Sequence, residues 1–215
     1  MKDINHEVST YEEDSFISKF NKAEQKVVLQ NTLNDESDYP HFTKNYKQAK
    51  YIYDKSRGAF DPTVMPLVNY WGFGPNKIKP EEVDKAKLES IRAVVGFSKT
   101  KNFFQAEENK EYLIKENPEV QIDFSALAKG YAVDQIAELL SKAGANNYLV
   151  EIGGEVKVKG NNPKGDFWNI GINKPEIGSA LNSVYKKTRL TDIAMASSGN
   201  YRNYFKLDGK ISVTH

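Results

Sequence analysis

Cysteine is absent from the chain, which excludes disulfides, thiolate zinc sites and cysteine nucleophiles and leaves the redox compartment open. Histidine is scarce, and His6, His41 and His215 are too scattered to form a histidine metal cluster. No apolar run approaches the roughly 18 residues of a bilayer span. The opening residues, Met1-Lys2-Asp3-Ile4-Asn5, carry no apolar signal region. The expectation is a soluble chain with no transmembrane segment. Neither charge sign is in surplus: the net charge is +1, so no global basic field invites nucleic acid. Familiar nucleotide signatures are missing as well. Gly72-Phe73-Gly74 lacks the third glycine of a Rossmann turn, and there is no phosphate-loop motif, serine elbow or HExxH.

What is present is ordinary for a globular protein: 215 residues, 39% hydrophobic and 27% charged. Such a length suits one domain or two small, closely packed lobes, and buries roughly 70% of the unfolded surface. Lysines alternate with acids, as over residues 80–92, in the manner of a solvated helix face.

Helix signals dominate the first part. Hydroxyl and acidic residues at 10–15 open a short helix whose buried stripe is Phe16, Ile17 and Phe20. Residues 41–55 place Phe42, Tyr46, Ala49, Ile52 and Tyr53 at helical spacing, and Gly58 ends that helix. Asp61-Pro62 predicts a new helix start, with Asp61 as its cap. Lys79-Pro80-Glu81-Glu82 opens another, reaching about Ile91. A charged hairpin is expected over 103–106 and 111–115, then a strand at 120–124 and a helix at 125–142 ended by Gly144. From there the pattern turns to strands, at 147–152, 155–159, 167–172, 184–190 and 193–196, with a final hairpin at 205–211 around Asp208-Gly209. This is an α+β order, helices first and mostly antiparallel strands later. The chain stops directly after that hairpin strand, as an incomplete domain would.

Three segments set glycine and an acid within apolar runs: residues 56–64, 122–131 and 149–156. A buried carboxylate is costly without a partner, and glycine is a poor filler unless something must approach closely. Asp123 or Ser125 either caps the helix that follows or helps its N-terminus face an anion or metal-bound phosphate. Lys129, one turn in among small apolar residues, suits a phosphate as a point charge. Gly153-Gly154 reads as a hairpin turn or as a cradle, with Glu151 and Glu155 at its mouth. Ser197-Ser198-Gly199-Asn200-Tyr201 offers the same pair of alternatives. Tyr70, Trp71 and Phe73 read as core. Tyr11 lies outside any stripe and is a candidate to stack on a planar ligand.

Taken in order, these stretches resemble the ApbE family, the FAD:protein FMN transferases. The matching residues are Ser9-Thr10-Tyr11 with Asp14-Ser15 and Phe20-Asn21, Gly58-Ala59-Phe60-Asp61-Pro62-Thr63-Val64 with Pro66-Leu67-Val68, and Asp123-Phe124-Ser125-Ala126-Leu127-Ala128-Lys129-Gly130 with Asp134. Val150-Glu151-Ile152-Gly153-Gly154-Glu155 and Ser198-Gly199-Asn200-Tyr201 complete the set. Each is weak alone; the ordered set is specific and spans almost the whole chain. The resemblance implies an ApbE-like (T-fold-like) architecture, with helices packed on mostly antiparallel sheet, incomplete at the C-terminus. It also implies FAD as substrate, Mg²⁺, and an acceptor protein whose Thr or Ser hydroxyl takes the FMN moiety as AMP leaves. By the same resemblance Tyr11 stacks near the flavin, while Ala59, Phe60 and Asp61 line the pocket. Asp123 and Lys129 meet the cofactor, and the Ala126 carbonyl binds Mg²⁺. Gly153, Gly154, Ser198 and Gly199 are pocket walls, and His215 is a candidate base that, with Asp123, would be catalytic.

Family chains begin earlier, commonly with a signal peptide and lipid-modified cysteine. They also continue past this histidine to supply further Mg²⁺ ligands. The resemblance therefore implies a stretch truncated at both ends that transfers flavin poorly, from a lipoprotein of the bacterial cell envelope facing the periplasm. A flavin-binding protein without transferase activity is the alternative, and a purely structural α+β module the third reading.

Overall fold

A computed structural model describes residues 1–22, 28–29, 38–75, 83–97, 113–114, 117–180, 183–199, 204–207 and 210–213. It divides into two compact units, Met1–Ala128 and Lys129–His215. Helices come first and antiparallel strands later, so the fold is α+β.

The first unit is built from α1 (Lys2–Val8), α2 (Phe16–Lys22), α3 (Pro40–Ser56), α4 (Met65–Tyr70) and α5 (Lys85–Val94), with α1 packed on both α2 and α3. Its core is aromatic. Phe42, fully buried on α3, meets Phe16 edge-on at 4.7 Å, and its ring lies 5.3 Å from that of Phe124. Burying a side chain of this size contributes roughly 1.5–3 kcal/mol relative to leaving it exposed. Tyr46 and Tyr53 extend the cluster to Phe97. The stripe on α2 is buried at Phe16, Ile17 and Phe20, as the sequence predicts. Glu7 of α1 reaches across to α3, accepting the Phe42 N–H at 2.8 Å and so satisfying a free first-turn amide of another helix. Burial pushes the Glu7 carboxyl above its usual pKa of 4.5, against the opposing pull of that hydrogen bond. Helix α3 ends with Arg57 left-handed at φ 55° and Gly58 at φ 81°, the Gly58 N–H closing on the Tyr53 carbonyl.

Three sequence expectations need correction here, and a fourth lies mostly outside the described residues. Asp61-Pro62 does not start a helix: α4 begins at Met65, with Val64 at the cap position and no side-chain cap. Asp61 instead closes a tight turn on Thr63, a geometry that an acid followed by proline serves equally well. Helix α5 opens at Lys85 and runs to Val94, because Asp84 rather than residues 79–82 supplies the cap, accepting from the Lys87 N–H at 3.0 Å. The hairpin expected over 103–115 lies outside the described residues except for β2 (Leu113–Ile114), which pairs antiparallel with β1 (Val28–Leu29). Residues 120–124 form no strand. Val120, Ile122 and Phe124 are buried in strand-like alternation, but among the described residues no strand pairs with them.

Helix α6 (Ser125–Lys142) spans the predicted residues and ends at Gly144, φ 86°, with the Ala145 N–H returning to the Leu140 carbonyl. In the second unit its inward positions Val133 and Ala137 pack with Val150, flanked by Ile136, Leu140, Tyr148 and Ile152. Strands β3 (Tyr148–Ile152) and β4 (Glu155–Lys159) pair antiparallel, and β7 (Ile193–Met195) adds to β4. Strand β5 (Trp168–Asn173) pairs with β6 (Val184–Leu190), and β8 (Tyr204–Leu207) with β9 (Lys210–Val213). The last pair sits in the register Leu207↔Lys210, the one expected for a two-residue connection.

Candidate functional site

Two segments of the first unit fold the same way. Asp61 Oδ1 accepts the Thr63 N–H at 2.8 Å and the Thr63 hydroxyl at 2.6 Å. Asp123 Oδ1 accepts the Ser125 N–H at 2.8 Å and the Ser125 hydroxyl at 2.5 Å. The segments are joined directly, since the Asp123 N–H donates to the Pro62 carbonyl at 2.8 Å. They differ in what happens to the second carboxylate oxygen. Asp61 Oδ2 accepts the Phe97 N–H at 3.0 Å, and the Thr63 hydroxyl oxygen also accepts the Gly96 N–H at 2.8 Å. The Asp61 carboxylate is therefore consumed in tying 61–63 to 96–97. Asp123 Oδ2 accepts nothing among the described residues, and Ser125 is exposed.

Asp123 stands at the entrance to α6. Phe124, fully buried, holds the helix start in the core, and its carbonyl takes the Leu127 and Ala128 amides, each at 2.8 Å. Ser125 and Ala126 are exposed at the first turn, where amides lack intrahelical acceptors and the helix carries partial positive charge. The capping reading of Asp123 thus describes a real feature, and one of its carboxylate oxygens is left without a donor among the described residues.

Tyr11 is 62% exposed and lines a pocket of about 430 Å³ together with Thr10, Asn21, Lys22, Asn69 and Gln121. Gln121 and Asn69 are linked across its wall by a carboxamide hydrogen bond of 3.2 Å. Ala59 is exposed and Phe60 half-buried; the Phe60 N–H donates to Ser56 Oγ at 3.0 Å. Neither they nor Asp61 line the Tyr11 pocket. Of the core aromatics expected nearby, Phe73 is buried, while Tyr70 and Trp71 are half-buried and packed edge-on.

In the second unit Lys129, Gly153 and Gly154 do come together. The Lys129 ammonium lies 2.8 Å from Glu155 Oε2 and donates to the Gly153 carbonyl at 3.2 Å, so it is engaged rather than free. Gly153 and Gly154 form the two-residue β3–β4 turn, with φ 56° and 97°, the conformation that favours glycine at both positions. The Gly154 N–H donates to Glu151 at 3.1 Å, and its carbonyl accepts the Ser197 N–H at 3.2 Å. Ser198 and Gly199 follow, exposed and outside any strand. Nearby, Lys157 pairs with Asp134 of α6 at 2.6 Å. His215, Asn200 and Tyr201 lie outside the described residues.

Asn21 is the residue whose part the sequence does not reveal: its side chain bonds the backbone of Ile122, more than a hundred positions away. The paired acid turns had a signal available, since Asp-x-Thr and Asp-x-Ser are spelled out at 61–63 and 123–125.

Comparison with known proteins adds the following. The ApbE family model matches residues 1–215. The FAD:protein FMN transferase of Haemophilus influenzae is 39% identical over 210 residues, covering 98% of this chain and 58% of that protein. The solved flavin transferase ApbE from Vibrio cholerae superposes with a TM-score of 0.74 at 36% identity, over 94% of this chain and 60% of that one. The ApbE protein of Thermotoga maritima superposes with a TM-score of 0.77 at 29% identity, over 100% of this chain and 64% of that one. The chain thus spans 58% of the length of the Haemophilus relative.

Proposed function

This chain belongs to the ApbE family, and on that premise we propose that it carries the FAD-handling part of a flavin transferase. The reaction moves the FMN moiety of FAD to a Thr or Ser hydroxyl of a partner protein. The acceptor oxygen bonds to the phosphorus of the FMN half, and the bond from that phosphorus to the bridging oxygen breaks. That oxygen leaves with AMP, and the hydroxyl proton passes to a base. Such chemistry depends on positioning and on charge neutralisation more than on covalent participation.

What supports this most directly is the entrance to α6. A carboxylate oxygen without a donor takes hydroxyl groups, and the ribityl chain of a flavin is a run of hydroxyls. The exposed first turn beside it offers a phosphate its partial positive charge and the Ala126 N–H, which has no acceptor among the described residues. Lys129, one turn further along the same helix, adds a point charge. Its pairing with Glu155, whose Oε2 is buried, holds the ammonium in place, so a phosphate would bind beside that pair rather than displace it. Tyr11 offers an exposed aromatic face at the rim of its pocket to the planar ring. By the family resemblance Asp61, Ala59 and Phe60 would line the cofactor pocket, and the Asp61–Phe97 bond ties that segment down. Gly153, Gly154, Ser198 and Gly199 as pocket walls, and His215 as the base, are assigned by family resemblance alone.

Mg²⁺, with the Ala126 carbonyl as ligand, belongs to the same resemblance. Among the described residues no three or more Asp, Glu or His side chains gather as a metal site, and a carbonyl within a helix turn is not a site by itself. The described residues do not fit Mg²⁺ unaided. Missing charge-stabilising groups cost on the order of 10²–10³ each in rate, so this stretch alone is expected to transfer slowly. Among the described residues no helix is long and apolar enough to cross a membrane. An envelope lipoprotein facing the periplasm is the address that the family suggests.

The test is FAD titration followed by tryptophan fluorescence and thermal shift, then incubation with Mg²⁺ and an acceptor flavoprotein. Saturable binding with AMP release and a flavinylated acceptor supports transfer. Binding without AMP release supports the non-catalytic flavin-binding alternative. No quenching and no thermal shift would refute both.

A further inference from the structure

Residues 120–124 are buried at alternate positions like a strand, and their backbone groups need partners. Asn21, in the last turn of α2, supplies them from a side chain. The Ile122 N–H donates to Asn21 Oδ1 at 2.8 Å, and Asn21 Nδ2 donates to the Ile122 carbonyl at 2.8 Å. A carboxamide used in this reciprocal way replaces one peptide of a neighbouring strand. It fixes both the height and the rotation of the peptide that it grips. The next residue is tied as well, through the Asp123 N–H to the Pro62 carbonyl at 2.8 Å. Phe124 then anchors in the core. The backbone that presents Asp123 is thus held at three successive residues, and Asn21 holds the first of them.

Asn21 also lines the Tyr11 pocket, as does Gln121, the residue immediately before the gripped peptide. One side chain therefore sets a pocket wall on one side of Ile122 and the acid on the other. No other side chain of similar size reproduces this. Aspartate keeps the acceptor but turns an oxygen toward the Ile122 carbonyl, and alanine leaves both buried backbone groups unpaired.

We propose that Asn21 is a positioning residue for flavin transfer, holding residues 121–123 so that Gln121 stays on the pocket wall and Asp123 Oδ2 stays turned to the reactants. The proposal rests on the function assigned in the preceding subsection. Asn21 touches no reacting atom; it acts through Asp123.

The experiment compares wild type, Asn21→Ala and Asn21→Asp in the full natural protein. It measures kcat and KM for FAD on an acceptor flavoprotein with Mg²⁺, each corrected for the folded fraction. A displacement of about 1 Å at a reacting centre costs about 10²-fold, and that is the expected fall in kcat, with KM for FAD rising as well because Asp123 and Gln121 both face the cofactor. Asn21→Asp, expected to stay folded, should be impaired like alanine because the donor is lost. Amide exchange should quicken at Ile122 and Asp123 before the rest of the first unit. A kcat per folded molecule equal to wild type in either variant would overturn the proposal, as would unchanged exchange at those two amides. If wild type itself transfers nothing, it is the transferase reading that fails, and the exchange measurement alone judges the grip on Ile122.

Discussion

Asp61 and Asp123 make the same turn with opposite outcomes. In each, one oxygen closes on the amide and hydroxyl two residues ahead, with distances matching to 0.1 Å or better. At Asp61 the remaining oxygen is taken by Phe97, and Thr63 is fully buried and doubly used. At Asp123 the remaining oxygen accepts nothing among the described residues, and Ser125 is open to solvent. Local sequence decides the turn, but what packs against it decides whether the second oxygen is tied down or left open. A motif of two residues cannot carry that distinction, because the deciding groups, Gly96 and Phe97, lie far along the chain.

The strongest way to break this comparison is Asp123→Ala in the full natural protein. Flavin transfer should fall by about 10²–10³-fold, measured by the mass of the acceptor, as expected for loss of a preorganised group. Its unfolding in urea should shift by only about 1 kcal/mol, the usual size of a lost helix cap. Undiminished transfer would put the two acids in one structural class. Asp61→Ala should show the inverse emphasis in stability. It strands the Phe97 amide and both Thr63 donors, so urea unfolding should lose about 3 kcal/mol. A loss no larger than that of Asp123→Ala would erase the contrast.

The hydroxyl partners sharpen the same point. Thr63→Val removes a fully buried donor and strands the Gly96 amide, and should cost about 1–2 kcal/mol. Ser125→Ala exposes its former partners to water and should cost about half as much in the same measurement. The smallest expected effect concerns a third acid, Glu7, which is buried and capping rather than turning. Its folded pKa is raised above 4.5, so the native state holds more proton than the unfolded chain between the two values. Its contribution therefore favours folding at low pH and weakens as pH rises through that window, then stays level above it. Glu7→Gln keeps an acceptor for Phe42 and should flatten that part of the stability–pH curve. A variant curve parallel to wild type would show that Glu7 does not set the slope.

Much of the chain was legible because local signals agreed. Helix α6 has its ends where Ser125 and Gly144 put them, and β3 with β4 follows from alternation around two glycines. The stripe of Phe16, Ile17 and Phe20 is core, as its spacing implies. The errors cluster where a long-range partner overrides a local rule. Residues 120–124 show the burial of a strand, but their partner is the Asn21 side chain rather than a ladder. Asp61-Pro62 fits a helix start on local chemistry, yet Phe97 draws the acid elsewhere and the helix waits until Met65. Lys129, read as a cation among small residues, has its carboxylate partner in Glu155, at the start of β4. The candidate site was legible as a list of segments; which oxygen is left over was not.

The turn at Gly153-Gly154 needs backbone angles that other residues adopt only with strain, and a side chain at the first position would press on the Lys129 stem at 3.3 Å. A descendant of this protein that had lost every trace of catalysis would still be under pressure to retain that pair, simply to close the hairpin. Persistence of the doublet across a lineage would record mechanical necessity, and loss of chemistry would have to be sought in residues with no such second duty.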